Sequence, residues 1–181
     1  MAVELLLITG STRAGSTNGA ALRTAQALVA DGLLPDVRAE YYDGLSRLPH
    51  FNPDDDVEPL PPAVADLRAR IGAAGALLFC TPEYAGALPG TLKNLLDWTI
   101  GGGEMSGKPV GWLNCSDRGA AGAYAELRTV LGYAGTVLVA DGCAEVTVSR
   151  SDLSPAGLVE DPARRQQILA VLAALAQAAG T

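Results

Sequence analysis

The chain has 181 residues, enough for one domain with a substantial core and too few for two. Apolar residues make up 49% of it, which excludes a disordered or linker protein, and a formal charge of −7 argues against nucleic acid or an anionic membrane as partner. No apolar run approaches the roughly 18 residues that span a bilayer, and no basic leader pattern opens the chain.

The first element is a buried strand, Val3 to Ile8, running into Thr9-Gly10-Ser11-Thr12-Arg13-Ala14-Gly15-Ser16-Thr17-Asn18. A helical pattern begins near Asn18, with Ala21, Leu22, Ala25, Leu28 and Val29 at helical spacing and Gly32 closing it. Strand, hydroxyl-rich loop with one arginine, then a helix N-terminus is the layout of an anion site. The first N–H groups of a helix lack intrahelical partners and sit at the positive end of its dipole. The loop is neither G-x-G-x-x-G nor G-x-x-x-x-G-K-[ST], so its chemistry suits a terminal monophosphate gripped by side chains. The plainer alternative is a polar loop whose Ser and Asn only cap the helix.

Residues 36–42 alternate and read as a second, more exposed strand near an edge. An irregular, proline-rich segment from Asp43 to Pro62 follows, with the acidic cluster Asp54-Asp55-Asp56 as a solvated face. Val64, Leu67 and Ile71 stripe a helix, and Ala76 to Cys80 is apolar throughout, as expected of a central strand. That strand ends in Thr81-Pro82-Glu83-Tyr84-Ala85-Gly86-Ala87-Leu88-Pro89-Gly90, with Pro89 placed in the first turn of a helix. Leu88, Leu92, Leu95, Leu96 and Ile100 form its stripe, and the glycines at 101–103 end it.

A fourth strand, Pro109 to Asn114, leads through Cys115-Ser116-Asp117-Arg118-Gly119 to a helix carrying Tyr124, Leu127, Val130 and Leu131. A fifth strand region, Thr136 to Val148, is expected to break at Asp141-Gly142, and Asp161 caps a last helix opened by Pro162. Strand and helix alternate five times, the pattern of a parallel sheet wrapped on both faces. For the flavodoxin-like order 2-1-3-4-5, ligands bind at the switch point between strands 1 and 3. The loops at 9–18 and 81–90 follow those two strands, and the loop at 116–119 makes a third wall.

Gly10-Ser11-x-Arg13-x-x-Ser16-x-Asn18, together with Thr81-Pro82-Glu83-Tyr84-x-Gly86-x-x-Pro89-Gly90-x-Leu92-Lys93-Asn94-x-x-Asp97-Trp98, resembles the NADPH-dependent FMN reductase family. That family contains quinone and chromate reductases and azoreductases. The resemblance covers nearly the whole chain. It implies a flavodoxin-like three-layer α/β sandwich forming one domain over residues 1–181. It implies FMN as cofactor and NADPH or NADH as electron donor. Ser11, Arg13, Ser16, Thr17 and Asn18 would hold the FMN phosphate. Pro82, Glu83, Tyr84, Ala85 and Gly86 would border the ring, with Ser116 and Gly119 at its pyrimidine side. The family commonly has Asn after the tyrosine, where this chain has Ala85.

The flavin carries the hydride and electron chemistry in such a protein, so no catalytic side chain is expected. One histidine and no G-x-S-x-G leave hydrolase chemistry without a triad, and no metal site is foreseen. The expected function is an FMN-dependent NAD(P)H oxidoreductase reducing flavin, quinone or similar small acceptors. The alternatives are a flavodoxin-like electron carrier without NAD(P)H turnover and a flavin-binding regulatory module. Cys80, Cys115 and Cys143 read as reduced thiols of a cytoplasmic protein. The 43–62 segment and the Asp97-Trp98 end of the helix, taken as exposed, point to a homodimer or homotetramer.

Overall fold

The computed structural model describes residues 2–180. Five strands, β1 (Val3–Thr9), β2 (Val37–Tyr42), β3 (Ala76–Cys80), β4 (Pro109–Asn114) and β5 (Val137–Glu145), form one parallel sheet. Their order is β2-β1-β3-β4-β5, the doubly wound order expected of the alternating pattern. Five helices connect and follow them: α1 (Thr17–Ala30), α2 (Pro62–Ala73), α3 (Gly90–Ile100), α4 (Ala121–Tyr133) and α5 (Pro162–Ala179).

The alternation of side chains along each strand splits the core in two. Leu6, Ile8, Leu77, Phe79 and Trp112 face a cluster closed by α2, α3 and α4. Leu5, Leu7, Leu78, Cys80 and Leu113 face the other, closed by α1 and α5. Because β1, β3 and β4 are covered on both faces, their central residues are apolar without interruption. At the edge, β2 alternates between buried and exposed positions.

The structure corrects four local expectations. The fifth strand is continuous through Asp141 and Gly142 and absorbs the irregularity as a register shift opposite Val110 and Trp112. Gly111 makes this possible: a Cβ there would overlap the Gly142 carbonyl. Pro89 sits one position outside α3, as its N-cap, because its extended ψ of 135° cannot continue into the helix. Ile100 turns out to solvent in the last turn of α3, and Trp98 is 0% exposed. The Asp97-Trp98 end is therefore not an exposed apolar surface.

Trp98 is buried because the proline-rich segment folds over it. Its Nε1 donates to the Pro49 carbonyl at 2.9 Å, and Phe51 packs edge-on against its ring at 5.0 Å. Asn94, one turn earlier, donates to the same carbonyl at 2.8 Å and accepts from the Phe51 N–H at 2.7 Å. Arg68 of α2 donates to the Trp98 carbonyl and pairs with Asp56 at 2.7 Å. The long connection is thus tied down by the polar side chains of α3.

Candidate functional site

The carboxyl ends of β1, β3 and β4 converge on a cavity of about 360 Å³ lined by Thr17, Asn18, Pro82, Glu83, Ser116 and Arg118, with Cys115 and Val148 at its wall. Its size falls in the range of sites that take a small organic ligand. Five of the predicted residues therefore meet in one place: Thr17, Asn18, Pro82, Glu83 and Ser116. Ser11, Arg13 and Ser16 line a neighbouring hollow of about 210 Å³ on the other side of the same loop. Tyr84, Ala85 and Gly86 form an exposed turn beyond the cavity lining, and Gly119 lies between two lining residues.

The β1–α1 loop is built around its hydroxyls. The Thr9 hydroxyl accepts from the Ser11 N–H at 3.1 Å and the Ser11 hydroxyl from the Arg13 N–H at 3.3 Å. Ser16 is the N-cap of α1 and its Oγ accepts from the Gly19 N–H. That leaves the N–H groups of Thr17 and Asn18, the first two of the helix, without a hydrogen-bond partner among the described residues. Both residues face the larger cavity.

Asn18 is the most informative member. It is 8% exposed, and its Oδ1 accepts from the Cys80 thiol at 3.2 Å, which leaves the Nδ2 donors without a protein partner. Burial pushes the Cys80 thiol well above its ordinary pKa, so it stays protonated and remains a donor. Cys80 lies 3.5 Å from Cys115 without a disulfide, so both thiols serve as packing and orienting groups. A buried amide with free donors at a helix N-terminus fits an anionic oxygen.

The other two loops are held by α4. The Tyr124 hydroxyl donates to the Leu113 carbonyl at 2.6 Å and accepts from the Thr81 N–H at 3.3 Å, tying the ends of β3 and β4 together. Burial raises the pKa of this phenol far above its ordinary value, so it acts as a fixed donor. Glu83 accepts from the Ala123 N–H at 3.0 Å, capping a helix whose own N-cap, Ala120, offers no side chain. Glu126 accepts from the Leu88 N–H at 2.7 Å. Asn114 shapes the third loop, accepting from the Ser116 N–H and donating to the Gly119 carbonyl. Glu83 is therefore an anchor of the cavity wall, a role the sequence pattern did not reveal.

Between those anchors, Tyr84 and Ala87 exchange two backbone hydrogen bonds across a tight turn, with Ala85 at φ +53° and Gly86 at φ +79°. Two consecutive positive φ angles mark a type I′ geometry, in which Ala carries a strain that Asn or Gly would not. Tyr84 stands 53% exposed at this turn. Among the residues missed, Cys115 and Ala120 flank the 116–119 loop after β4, and Val148 reaches the cavity because β5 is the sheet neighbour of β4. Among the described residues, no group of His, Cys, Asp or Glu could hold a metal ion, and no helix is long and apolar enough to cross a membrane.

The family model for NADPH-dependent FMN reductases matches residues 3–149. An NAD(P)H-dependent FMN reductase of Pseudomonas aeruginosa is 41% identical over 133 residues, covering 71% of this chain and 69% of that one. A 2-hydroxy-1,4-benzoquinone reductase of a Burkholderia species is 34% identical over 145 residues, covering 77% and 75%. A probable NADPH:quinone oxidoreductase of rice aligns over a shorter stretch, 38% identical across 54% of this chain and 47% of its own length. Among solved structures, the flavoenzyme NAD(P)H:acceptor oxidoreductase FerB of Paracoccus denitrificans superposes with a TM-score of 0.82, at 27% identity, over 98% of this chain and 97% of that one.

Proposed function

We infer the chemistry of this site from one premise: the chain belongs to the NADPH-dependent FMN reductase family. It is an FMN-dependent NAD(P)H oxidoreductase whose electrons pass to small acceptors of the flavin or quinone kind. FMN, when bound, supplies the hydride and electron chemistry. The residues of this chain bind it, orient it and shape what can approach it.

The 360 Å³ cavity is the FMN site, and the phosphate end lies at the start of α1. The observation that carries this is Asn18, buried, with free Nδ2 donors beside the unpaired N–H groups of Thr17 and Asn18. Ser11 and Ser16 hold the loop in shape, and Arg13, which has no acidic partner among the described residues, supplies the positive charge. The 82–86 turn and the 116–119 loop border the ring, with Pro82, Glu83 and Ser116 at the cavity wall and Tyr84, Ala85, Gly86 and Gly119 at its margin. No side chain here is asked to act as nucleophile or general base.

The chain acts as one domain over residues 1–181, in the cytoplasm, as a homodimer or homotetramer. Supporting the assembly are large apolar side chains left in water, with Tyr133 at 83% and Val137 at 54% exposed between α4 and the edge strand β5. Light scattering of a monomer at micromolar concentration would overturn the assembly.

The test of the phosphate site is Arg13→Ala. Charge-assisted hydrogen bonds contribute roughly 1.5–3 kcal/mol, so FMN should bind about ten- to a hundredfold more weakly. Riboflavin, which lacks the phosphate, should bind as it does to wild type. Arg13 is exposed and supports no core, so circular dichroism should be unchanged. Equal losses for the two flavins would place Arg13 at the ring or in loop shaping, not at the phosphate.

A further inference from the structure

Helix α4 meets the turn after β3 at three successive points. Glu83 accepts from the Ala123 N–H at 3.0 Å, and a Cβ on Gly122 would overlap the Gly86 carbonyl oxygen. One helical turn further on, Glu126 accepts from the Leu88 N–H at 2.7 Å. Residues 122, 123 and 126 are spaced to share one side of α4, with Tyr124, Leu127 and Leu131 buried in the core. The turn therefore lies on the backbone of α4, held by a carboxylate at each end. Glycine at 122 is what lets the two backbones come so close.

Glu126 is half-buried and has no ion-pair partner among the described residues. Leu88 is 6% exposed, and its N–H has no backbone acceptor among them. Removing the Glu126 carboxylate would leave that donor buried and unpaired, so the turn would have to shift to satisfy it. A shift here matters because α4 also continues the opposite wall. The 116–119 loop, held by Asn114, runs through Ala120 straight into the first turn of α4. One helix thus carries both segments assigned to the ring, the 82–86 turn and the 116–119 loop.

We propose that Glu126 is a positioning residue for the flavin ring: by holding Leu88 it fixes the 83–88 turn against α4 and so sets the gap between the two ring-bordering segments. The proposal rests on the reading of the cavity as the FMN site. Glu126 itself lies outside the cavity lining and acts through the turn.

Three substitutions separate reach from charge. Glu126→Ala removes the acceptor, Glu126→Asp keeps the charge one methylene short, and Glu126→Gln keeps an acceptor oxygen at full reach. Titrated into the apo proteins, FMN and riboflavin should both bind about three- to tenfold more weakly to the Ala and Asp variants, by the same factor. The Gln variant should stay within about twofold of wild type. In hydrogen exchange the Leu88 amide should open at least about tenfold faster in the Ala and Asp variants and recover in Gln. Asn94→Ala, which loosens residues 49–51 far from this turn, controls for lost stability and should leave both flavins unchanged.

A loss confined to FMN would put the effect at the phosphate and overturn the inference. Equal losses in the Gln and Ala variants, or in Asn94→Ala, would do the same, since charge or general stability would then explain them. If Glu126→Ala does not fold, Glu126→Asp carries the test. Exchange in wild type with and without FMN tests the cavity reading separately: FMN should protect amides in both the 82–86 turn and the 116–119 loop. Without that protection the cavity reading fails and takes this inference with it. Protection in wild type, with flavin affinity unchanged in Glu126→Ala and Glu126→Asp, would remove the inference alone.

Discussion

The β1–α1 loop and helix α3 are comparably polar in sequence, yet the fold uses their polar atoms in opposite ways. In α3, Asn94 and Trp98 turn their donors and acceptors inward and fasten residues 49–51, while Lys93 and Asp97 pair with each other at 2.6 Å. In the loop, Thr17, Asn18 and Arg13 leave donors unmatched beside open space. A motif whose hydrogen bonds close within the protein is scaffold. One whose donors stay open at a cavity is a binding site.

The largest expected effect breaks the scaffold side. Trp98→Ala removes a fully buried ring, its partner Phe51 and its bond to Pro49, and should cost about 3–5 kcal/mol in urea unfolding. A loss below about 1 kcal/mol would mean the segment at 43–62 holds itself in place. The comparison is sharpest in two asparagines. Asn94→Ala should lower stability by about 1–3 kcal/mol, free the 43–62 segment to proteolysis and leave FMN affinity unaltered. Asn18→Ala should weaken FMN about tenfold, by the loss of one buried donor group worth roughly 1.4 kcal/mol. Exchanged outcomes would reverse the roles assigned to the two regions.

A smaller effect lies in β2, where neighbouring tyrosines repeat the contrast. Tyr41 engages Arg23, whereas the Tyr42 hydroxyl is buried with no partner. Tyr42→Phe should therefore stabilise the fold by about 1 kcal/mol. Burial raises the Tyr42 pKa to about 12, so ionisation is suppressed in the folded state relative to the unfolded chain. Its contribution is intact below pH 10 and is lost as pH rises towards 12. The advantage of Tyr42→Phe should widen over that interval in alkaline unfolding curves, and a constant gap would contradict the burial. The smallest effect concerns Ala85, held at φ +53°. Ala85→Asn should raise the melting temperature by a few degrees, about 0.5–1 kcal/mol, since Asn tolerates the left-handed region better. No gain would mean the turn is held by Gly86 alone.

Much was legible from the chain because hydrophobic period and turn residues are local properties. The three central strands, the Asp161 cap and the closing of α1 at Gly32 all follow from a few adjacent residues, and the strand–helix alternation implied the sheet order. The two loop motifs also sufficed to indicate the family. What the fold decided was how residues far apart in sequence face one another. Trp98 looks like an exposed helix end until residues 49–51 are laid over it, and only the packing of α4 shows that Glu83 also caps that helix's N-terminus. Arg23 is an ordinary surface arginine on α1 until β2 brings Tyr41 beneath it and Gly19 leaves the space between them. The physical reason is the same in each case. A side chain's conformation is set by its own residue, but whether its polar atoms are matched depends on the partners that packing brings near.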